Sequence, residues 1–129
     1  MKEIKAYIRR DEVNQVVEKL HDVGAPGIAI IEIHPLDYGY EANPFVPHRA
    51  GVADRYRHLA VVKLEIMCRD ADLERLVQVL RIHCGTGHRG DGMIFVSDVV
   101  DAVRISDGVR GEPALAGIRP SATGSAARA

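Results

Sequence analysis

The sequence lacks an excess of charge of either sign, and this absence excludes the strongest electrostatic roles. Its 129 residues include 17 lysines and arginines against 18 aspartates and glutamates, for a net charge of −1. A chain this close to neutral has no overall attraction for nucleic acid or for anionic membrane surfaces. Any site for an anion must therefore be local.

Cysteines are few, and long apolar runs are missing. The two cysteines, Cys68 and Cys84, do not have CxxC spacing. Charged residues at positions 2, 3 and 5 interrupt any apolar run at the start, so we expect no signal peptide and a reducing, cytoplasmic setting. No apolar stretch reaches the length that crosses a bilayer. A chain of this length is expected to form one domain with its own core.

What the chain does have is a glycine-rich stretch, residues 86–96, that runs straight into an apolar strand. Gly87, Gly90 and Gly92 lie within six residues. Glycines let successive backbone amides turn inward around an anion, and Arg89 would add a positive charge. The stretch is neither a P-loop nor a Rossmann fingerprint, because no Lys-Ser or Lys-Thr follows and it opens a strand. The spacing alone also fits an ordinary turn.

Hydropathy patterns predict six regular elements. Alternating and β-branched apolar residues indicate strands, and apolar residues at helical spacing indicate helices. The predicted strands cover 2–9, 28–33, 59–68 and 93–96, and the predicted helices cover 11–23 and 70–80. This order predicts an α+β fold, a ferredoxin-like βαββαβ sandwich with a four-stranded antiparallel sheet and two helices on one face. Residues 28–33 are apolar on both faces, which is typical of a central strand.

Two segments lack periodicity. Residues 35–57 carry three prolines and three tyrosines, and an irregular connection of this length in a small domain is usually functional. After Gly111 the composition shifts to alanine, glycine, serine and proline. We therefore expect a folded domain over residues 1–112 and a flexible tail over residues 113–129. The apolar outward face of the sheet predicts that copies of the chain associate.

Several short motifs match one known family. They are Met1–Ala6, the turn Gly24-x-x-Gly27-Ile28 with Glu32 behind it, Lys63-Leu64-Glu65, and the glycine stretch with Val103-Arg104-Ile105 and Gly108 after it. With these motifs the chain resembles the PII signal-transduction superfamily over about residues 1–34 and 58–112. The glycine stretch carries the most specific part of the likeness, since it is similar to the family's B-loop signature.

The resemblance implies a non-enzymatic, cytoplasmic homotrimer that binds adenine nucleotides in the clefts between subunits. Residues 84–92 would be the phosphate-binding B-loop. Residues 35–57 would be the T-loop, which docks on a target such as a membrane transporter or a metabolic enzyme. The implied nucleotide-binding residues are Gly27, Ile28, Ala29, Glu65, Met67, Gly87, His88, Arg89, Gly90, Asp91, Gly92, Met93 and Arg104. The implied partner-binding residues of the loop are Tyr38, Tyr40, Arg49 and Tyr56.

Departures from the family pattern predict an altered ligand preference. Met93 stands where typical members have a lysine, and Ser106 stands where they have a second arginine. With two phosphate-facing charges missing, we expect ADP or AMP to be preferred to a tightly held ATP, with a small anion such as bicarbonate as an open co-ligand. The usual T-loop motifs are also absent from residues 35–57, so the chain is interpreted as a divergent member.

Other chemistries are open but weaker. His34, His48 and His58 flank or lie within the long loop, which leaves a trimeric metal-binding protein of the copper-tolerance type as the alternative function. Their spacing matches no zinc motif, so no metal site is predicted. Cys84 lies beside His83, but no third group orients such a pair, and no catalytic residue is predicted. Asp91 between two glycines is expected to bond to its own turn.

Overall fold

The computed structural model describes residues 1–35, 44–47, 49, 51, 60–87 and 91–118. The elements are β1 (Lys2–Arg9), α1 (Val13–Asp22), β2 (Gly27–Ile33), β3 (Val61–Cys68), α2 (Leu73–Cys84) and β4 (Met93–Asp98). Short 3-10 turns precede both helices, at Arg10–Glu12 and Asp70–Asp72, and a third covers Glu112–Leu115. The predicted order of four strands and two helices is confirmed.

The four strands form one antiparallel sheet in the order β2-β3-β1-β4. This is the ferredoxin-like arrangement that the element order predicts. The position of β2 differs from the prediction, because β2 lies at an edge of the sheet and not at its centre. Ile30 and Ile31 keep 54% and 36% of their surface exposed. The apolar residues on the two faces of β2 therefore form a surface that is not buried within a single chain.

The core lies between one face of the sheet and the two helices. Alternate residues of the central strands point into it, because side chains alternate between the two faces of a strand. Apolar residues at helical spacing on α1 and α2 complete it. The side chains at its centre are Ile4, Ala6, Val16, Leu20, Leu64, Ile66, Leu76 and Leu80, each no more than 1% exposed.

A buried carboxylate joins the start of α2 to the turn after α1. Asp72 is 6% exposed and accepts hydrogen bonds from the guanidinium groups of Arg69 and Arg75, at 2.9 and 3.0 Å for the shortest contacts. Arg75 also donates to the carbonyl of Val23 at 3.0 Å. These charge-assisted bonds lower the pKa of Asp72, with the bond from Arg69 as the largest cause. They hold the turn that leads into β2 against the helix layer.

The chain continues past β4 into a small hairpin and a packed segment. Val103 bridges Arg110, and the 3-10 turn Glu112–Leu115 follows. A flexible tail is predicted from residue 113, yet Ala114 and Leu115 are only 5% and 7% exposed. The packed part of the chain thus includes Ala114 and Leu115, residues 116–118 are exposed, and residues 119–129 lie outside the described residues.

The longest helix in the described ranges is α2, with 12 residues. None of the described helices is long and apolar enough to cross a membrane.

Candidate functional site

The predicted nucleotide-binding residues that the structure describes fall into two groups at opposite ends of the sheet. The first group lies where β4 begins. Gly87, Asp91, Gly92 and Met93 line a cavity of about 290 Å³ between the glycine loop, β1 and α2. His88, Arg89 and Gly90 belong to the same predicted group and lie outside the described residues.

Asp91 organises the described part of the glycine loop. One carboxylate oxygen accepts the backbone amides of Thr86 at 2.7 Å and Gly87 at 2.9 Å, and the other accepts the hydroxyl of Thr86. Gly87 and Gly92 have φ of +80° and +114°, a conformation that favours glycine. Asp91 therefore bonds to its own turn, as predicted. The two amides donate to a side chain of the loop itself, so they are not aimed at an outside anion.

The same contacts lower the pKa of Asp91. The hydrogen bond from the Thr86 hydroxyl is the largest cause, followed by the Thr86 amide, and Arg9 contributes a smaller favourable charge. Each of these groups favours the ionised carboxylate. A carboxylate with a lowered pKa is a weak base at neutral pH, so these contacts fit a structural anchor of the loop better than a general base.

Cys84 lines this cavity, and its surroundings disfavour reaction of its thiol. It is a free thiol, 6% exposed, and burial raises its pKa to about 11. A reactive cysteine needs a lowered pKa, because the thiolate is the nucleophile. The environment of Cys84 thus agrees with the prediction that it fills space and has no catalytic role.

Two residues of β1, Tyr7 and Arg9, lie near the glycine loop on the face of the sheet that neither helix covers. Tyr7 pairs with Met93 in the strand register, and Arg9 lies two residues further along the same face. The guanidinium of Arg9 is 3.5 Å from Glu12 and 3.8 Å from Asp91. Arg9 is not among the predicted nucleotide-binding residues, although its charge could compensate for the phosphate-facing cations that Met93 and Ser106 replace. The alternation of side chains along β1 predicts the position of Arg9, because Arg9 and Tyr7 lie on the same face of the strand.

The second group lies at the other end of the sheet, where β2 begins and β3 ends. Gly27 pairs with Met67, and Ala29 pairs with Glu65. These four residues therefore form two adjacent cross-strand pairs on the face that neither helix covers. Ile28 points to the opposite face and packs against the core. Only the backbone of Ile28 is thus available to a ligand.

Glu65 is already paired on this face. Its carboxylate is 2.9 Å from the ammonium of Lys63, two residues earlier on β3. The bond to Glu65 is the largest cause of a raised pKa for Lys63. Lys63 belongs to the motif that the chain shares with the family, but it is absent from the predicted site. A lysine beside Glu65 adds a positive charge next to the predicted adenosine side.

Arg104 lies at this second end as well, and both terminal nitrogens of its guanidinium bond within the chain. One terminal nitrogen is 2.7 Å from Asp107. The other donates to the backbone carbonyls of Pro113 and Ala116, at 2.9 and 2.6 Å. The predicted phosphate contact of Arg104 would thus have to replace bonds that the C-terminal segment now accepts.

The two groups cannot meet within one chain. Gly27 and Met67 are level with Glu3 on β1, whereas Met93 is level with Tyr7. Four residues of extended strand separate the two levels by about 13 Å, and β2 and β4 lie at opposite edges of the sheet. Gly27 and Met67 therefore lie well apart from Met93 within one chain, whereas Glu65, which is level with Phe95, lies between the two levels.

The predicted partner-binding loop is described only in part. Arg49 is exposed, whereas Tyr38, Tyr40 and Tyr56 lie outside the described residues. The histidines of the metal hypothesis divide similarly, because His34 is described and His48 and His58 are not. Within the residues that the structure describes, no group of three histidine, cysteine or acidic side chains is arranged to hold a metal ion.

Comparison with known proteins identifies the family. A family model described as Nitrogen regulatory protein P-II matches residues 1–109. The chain belongs to the P-II family. A P-II protein of Rhodospirillum rubrum is 34% identical over 115 residues, which cover 89% of this chain and all of that protein. The protein named P-II 1 of Methanothermobacter thermautotrophicus is 33% identical, over 89% of this chain and 97% of its own length.

P-II membership confirms the family resemblance carried by the sequence motifs. P-II proteins are regulatory signal transducers, so the prediction of a regulator that is not an enzyme is also confirmed. The match covers both groups of predicted site residues, from Gly27 to Arg104. The matched range includes the long loop, residues 35–57, which lacks the usual motifs. It also includes the glycine loop and Met93, which follows that loop.

The anchoring role of Asp91 predicts a low titration midpoint that the loop amides report. We expect the amide proton shifts of Thr86 and Gly87 to titrate together with a midpoint below about 3.9, the ordinary value for aspartate. Because the pKa of Asp91 is lower in the folded chain than in the unfolded chain, the ionised carboxylate stabilises the folded loop at pH values above the unfolded-state pKa. This stabilisation is lost as the pH falls through the pKa of the folded chain.

The measurement is an NMR titration of the full chain between pH 2 and 6. The variant Asp91→Asn is the control, and its two amides should show no common titration in that range. A shared midpoint at or above 4 in the unsubstituted chain would contradict the anchoring role.

Proposed function

We propose that this P-II protein is a homotrimer that binds an adenine nucleotide in each cleft between subunits and controls a target protein through residues 35–57. The observation that carries the proposal is the separation of the predicted site residues into two groups at opposite ends of the sheet. Each group lacks what the other supplies. A neighbouring copy that sets its second group beside the first would complete the site.

The face of the sheet that neither helix covers is the surface through which copies would associate. It carries Ala29, Ile31, Met67, Met93 and Phe95 in register with charged residues of β1 and β3. Phe95 packs edge-on against Tyr7, with ring centroids 5.7 Å apart. A partly apolar face of this kind is normally covered in soluble proteins. Closed symmetry would give every copy the same neighbour and so three equivalent clefts.

Within each cleft the two groups would take different parts of the ligand. At one end the phosphates would bind Arg89 and loop amides other than those of Thr86 and Gly87, a combination that suits phosphate. The paired residues Gly27 and Met67 offer a small, apolar surface at the other end, which suits the adenosine part. Arg104 belongs to the second group, so it would reach the phosphates from the copy that supplies the adenosine side of the cleft.

The ligand we propose is ADP or AMP in preference to ATP. Met93 begins β4 directly after the glycine loop and is 45% exposed, so its side chain adjoins the proposed phosphate end without a charge. Ser106 removes a second charge near Arg104. Each missing cation weakens the hold on a third phosphate more than the hold on the adenosine part. A small anion such as bicarbonate remains the proposed co-ligand.

Control of the target would pass through residues 35–57. That segment joins the end of β2 to the start of β3, so it leaves the sheet at the end where the glycine loop lies. A ligand at the glycine loop is therefore placed to act on the base of this segment. The coupling requires that the nucleotide binds two states of the segment with different affinity. The proposed target is a membrane transporter or a metabolic enzyme.

The proposal predicts the outcome of calorimetric titration with AMP, ADP and ATP. The unsubstituted chain should bind ADP or AMP more tightly than ATP. The variant Met93→Lys restores a cation beside the phosphates and should raise the affinity for ATP about tenfold, equivalent to about 1.4 kcal/mol. The affinity for AMP should change little.

The matched control is Met93→Leu, which keeps the size and the apolar character of the side chain and should leave all three affinities unchanged. Failure of every adenylate to bind, together with binding of copper or zinc, would favour the metal-binding alternative. Equal ATP affinity in Met93→Lys and in the unsubstituted chain would refute the proposed position of Met93.

A second prediction concerns the loop. If the nucleotide orders residues 35–57, saturating ADP should slow tryptic cleavage after the exposed Arg49 by at least about threefold, because proteases cut flexible segments. Cleavage after Lys19, which is exposed on α1 and lines neither cavity, is the internal control and should not change. Identical cleavage rates after Arg49 with and without ADP would argue against coupling between the site and the loop.

A further inference from the structure

The C-terminal strap, defined as residues 112–118, packs against the end of the sheet that holds the second group of site residues. Its 3-10 turn buries Ala114 and Leu115. Between the strap, residues 24–26 and the pair Arg69 and Asp72 lies a cavity of about 490 Å³. The strap is therefore not an extension into solvent. It forms one wall of a cleft whose floor is the turn that leads into β2.

The end of the strap covers Gly27. A side-chain carbon built on Gly27 would lie 2.9 Å from Cγ2 of Ile118, which is closer than ordinary van der Waals contact. Gly27 is the residue against which the proposed function puts the adenosine part of a nucleotide. A ligand group on the side of Gly27 where a Cβ would lie therefore meets Ile118.

The strap also engages the cation that the proposed site needs. Three of its carbonyls, those of Pro113, Ala114 and Ala116, accept from the same guanidinium nitrogen of Arg104 at 2.9, 3.4 and 2.6 Å. The opposite nitrogen is held by Asp107. Arginine binds phosphate best when its planar fork offers two donors at once. With the strap packed in this way, the guanidinium donors of Arg104 are already bonded to groups of the chain itself.

Apart from the burial of Ala114 and Leu115 and the bonds from Arg104, the contacts that hold the strap are few and lie near the surface. Two short-range amide bonds stabilise its backbone, from Ala114 to Gly111 and from Ala116 to Pro113. The amide of Asp70 adds a long bond of 3.4 Å to Glu112. A segment with few buried contacts opens at low cost compared with global unfolding. The strap can thus exchange between a closed and an open position without loss of the core.

We propose that the strap is an autoinhibitory element that competes with the nucleotide for Gly27 and Arg104. The inference rests on the proposed nucleotide-binding function. In the closed position Ile118 occupies the adenosine side and the strap carbonyls occupy Arg104. In the open position both are free for the ligand. The apparent dissociation constant is then the intrinsic one divided by the open fraction, so loosening the strap tightens nucleotide binding.

The first test is hydrogen exchange of the unsubstituted full chain, read by mass spectrometry with and without saturating ADP. Competition predicts faster exchange of peptides that contain Ala114 and Ala116, because the ligand drives the strap open. Peptides from residues 84–92 should exchange more slowly. Unchanged or slower exchange of the strap, with protection of residues 84–92, would overturn the inference and leave the proposed function standing.

The second test is calorimetric ADP titration of full-length variants. Ile118→Ser removes the contact with Gly27 and should tighten ADP binding at least about fivefold. Leu115→Asp introduces a charge at a buried strap position near Asp72 and should act in the same direction. The control is Ile82→Ser, the same substitution at an isoleucine of α2 that is 69% exposed, and it should not change the affinity.

The outcomes separate the two proposals. Equal or weaker ADP binding by Ile118→Ser, when the unsubstituted chain binds ADP, would overturn the strap alone. If Leu115→Asp does not fold, Ile118→Ser and the exchange measurement decide, since Ile118 is half exposed and its replacement leaves the core intact. Absence of adenylate binding by every form of the chain, including Ile118→Ser, would overturn the nucleotide function and the strap with it.

Discussion

The antiparallel register of β1 between β3 and β4 is the constraint on which the rest of the structure depends. It places Glu3 level with the Gly27 turn and Tyr7 level with the glycine loop. The covalent path of the chain then keeps the two groups apart, with Gly27 on the edge strand β2, Met67 on the inner strand β3 and Met93 on the opposite edge strand β4. No rearrangement of side chains brings them together. We propose that a ligand site using both groups forms between copies of the chain.

The same geometry gives the C-terminal strap its proposed role. Because the second group lies at the end of the sheet where the chain leaves β4, the segment that follows is within reach of Gly27 and Arg104. The strap and the nucleotide would use the same backbone surface and the same guanidinium. A protein that exchanges an internal contact for a ligand contact has two states that differ in ligand affinity, which is the requirement for signalling.

Strand and helix periodicity predicted the order of elements, because alternation and helical spacing report the face that each element buries. The edge position of β2 was not predictable in this way, since an apolar face covered by another copy has the same pattern as one covered within the chain. The bonding of Asp91 to its own turn followed from the Gly-Asp-Gly sequence. The packing of residues 112–118 did not, because proline, alanine and glycine also dominate flexible tails, and Leu115 alone gives no periodicity.

The central claim is that the nucleotide site exists only between copies of the chain. Native mass spectrometry of the 14.1 kDa protein with ADP tests it most directly, since it reports oligomeric state and bound ligand together. The account predicts a trimer that carries up to three ADP molecules, and a monomer released by dilution that carries none. A monomer that retains ADP, or a trimer without ADP at saturating concentration, would contradict it.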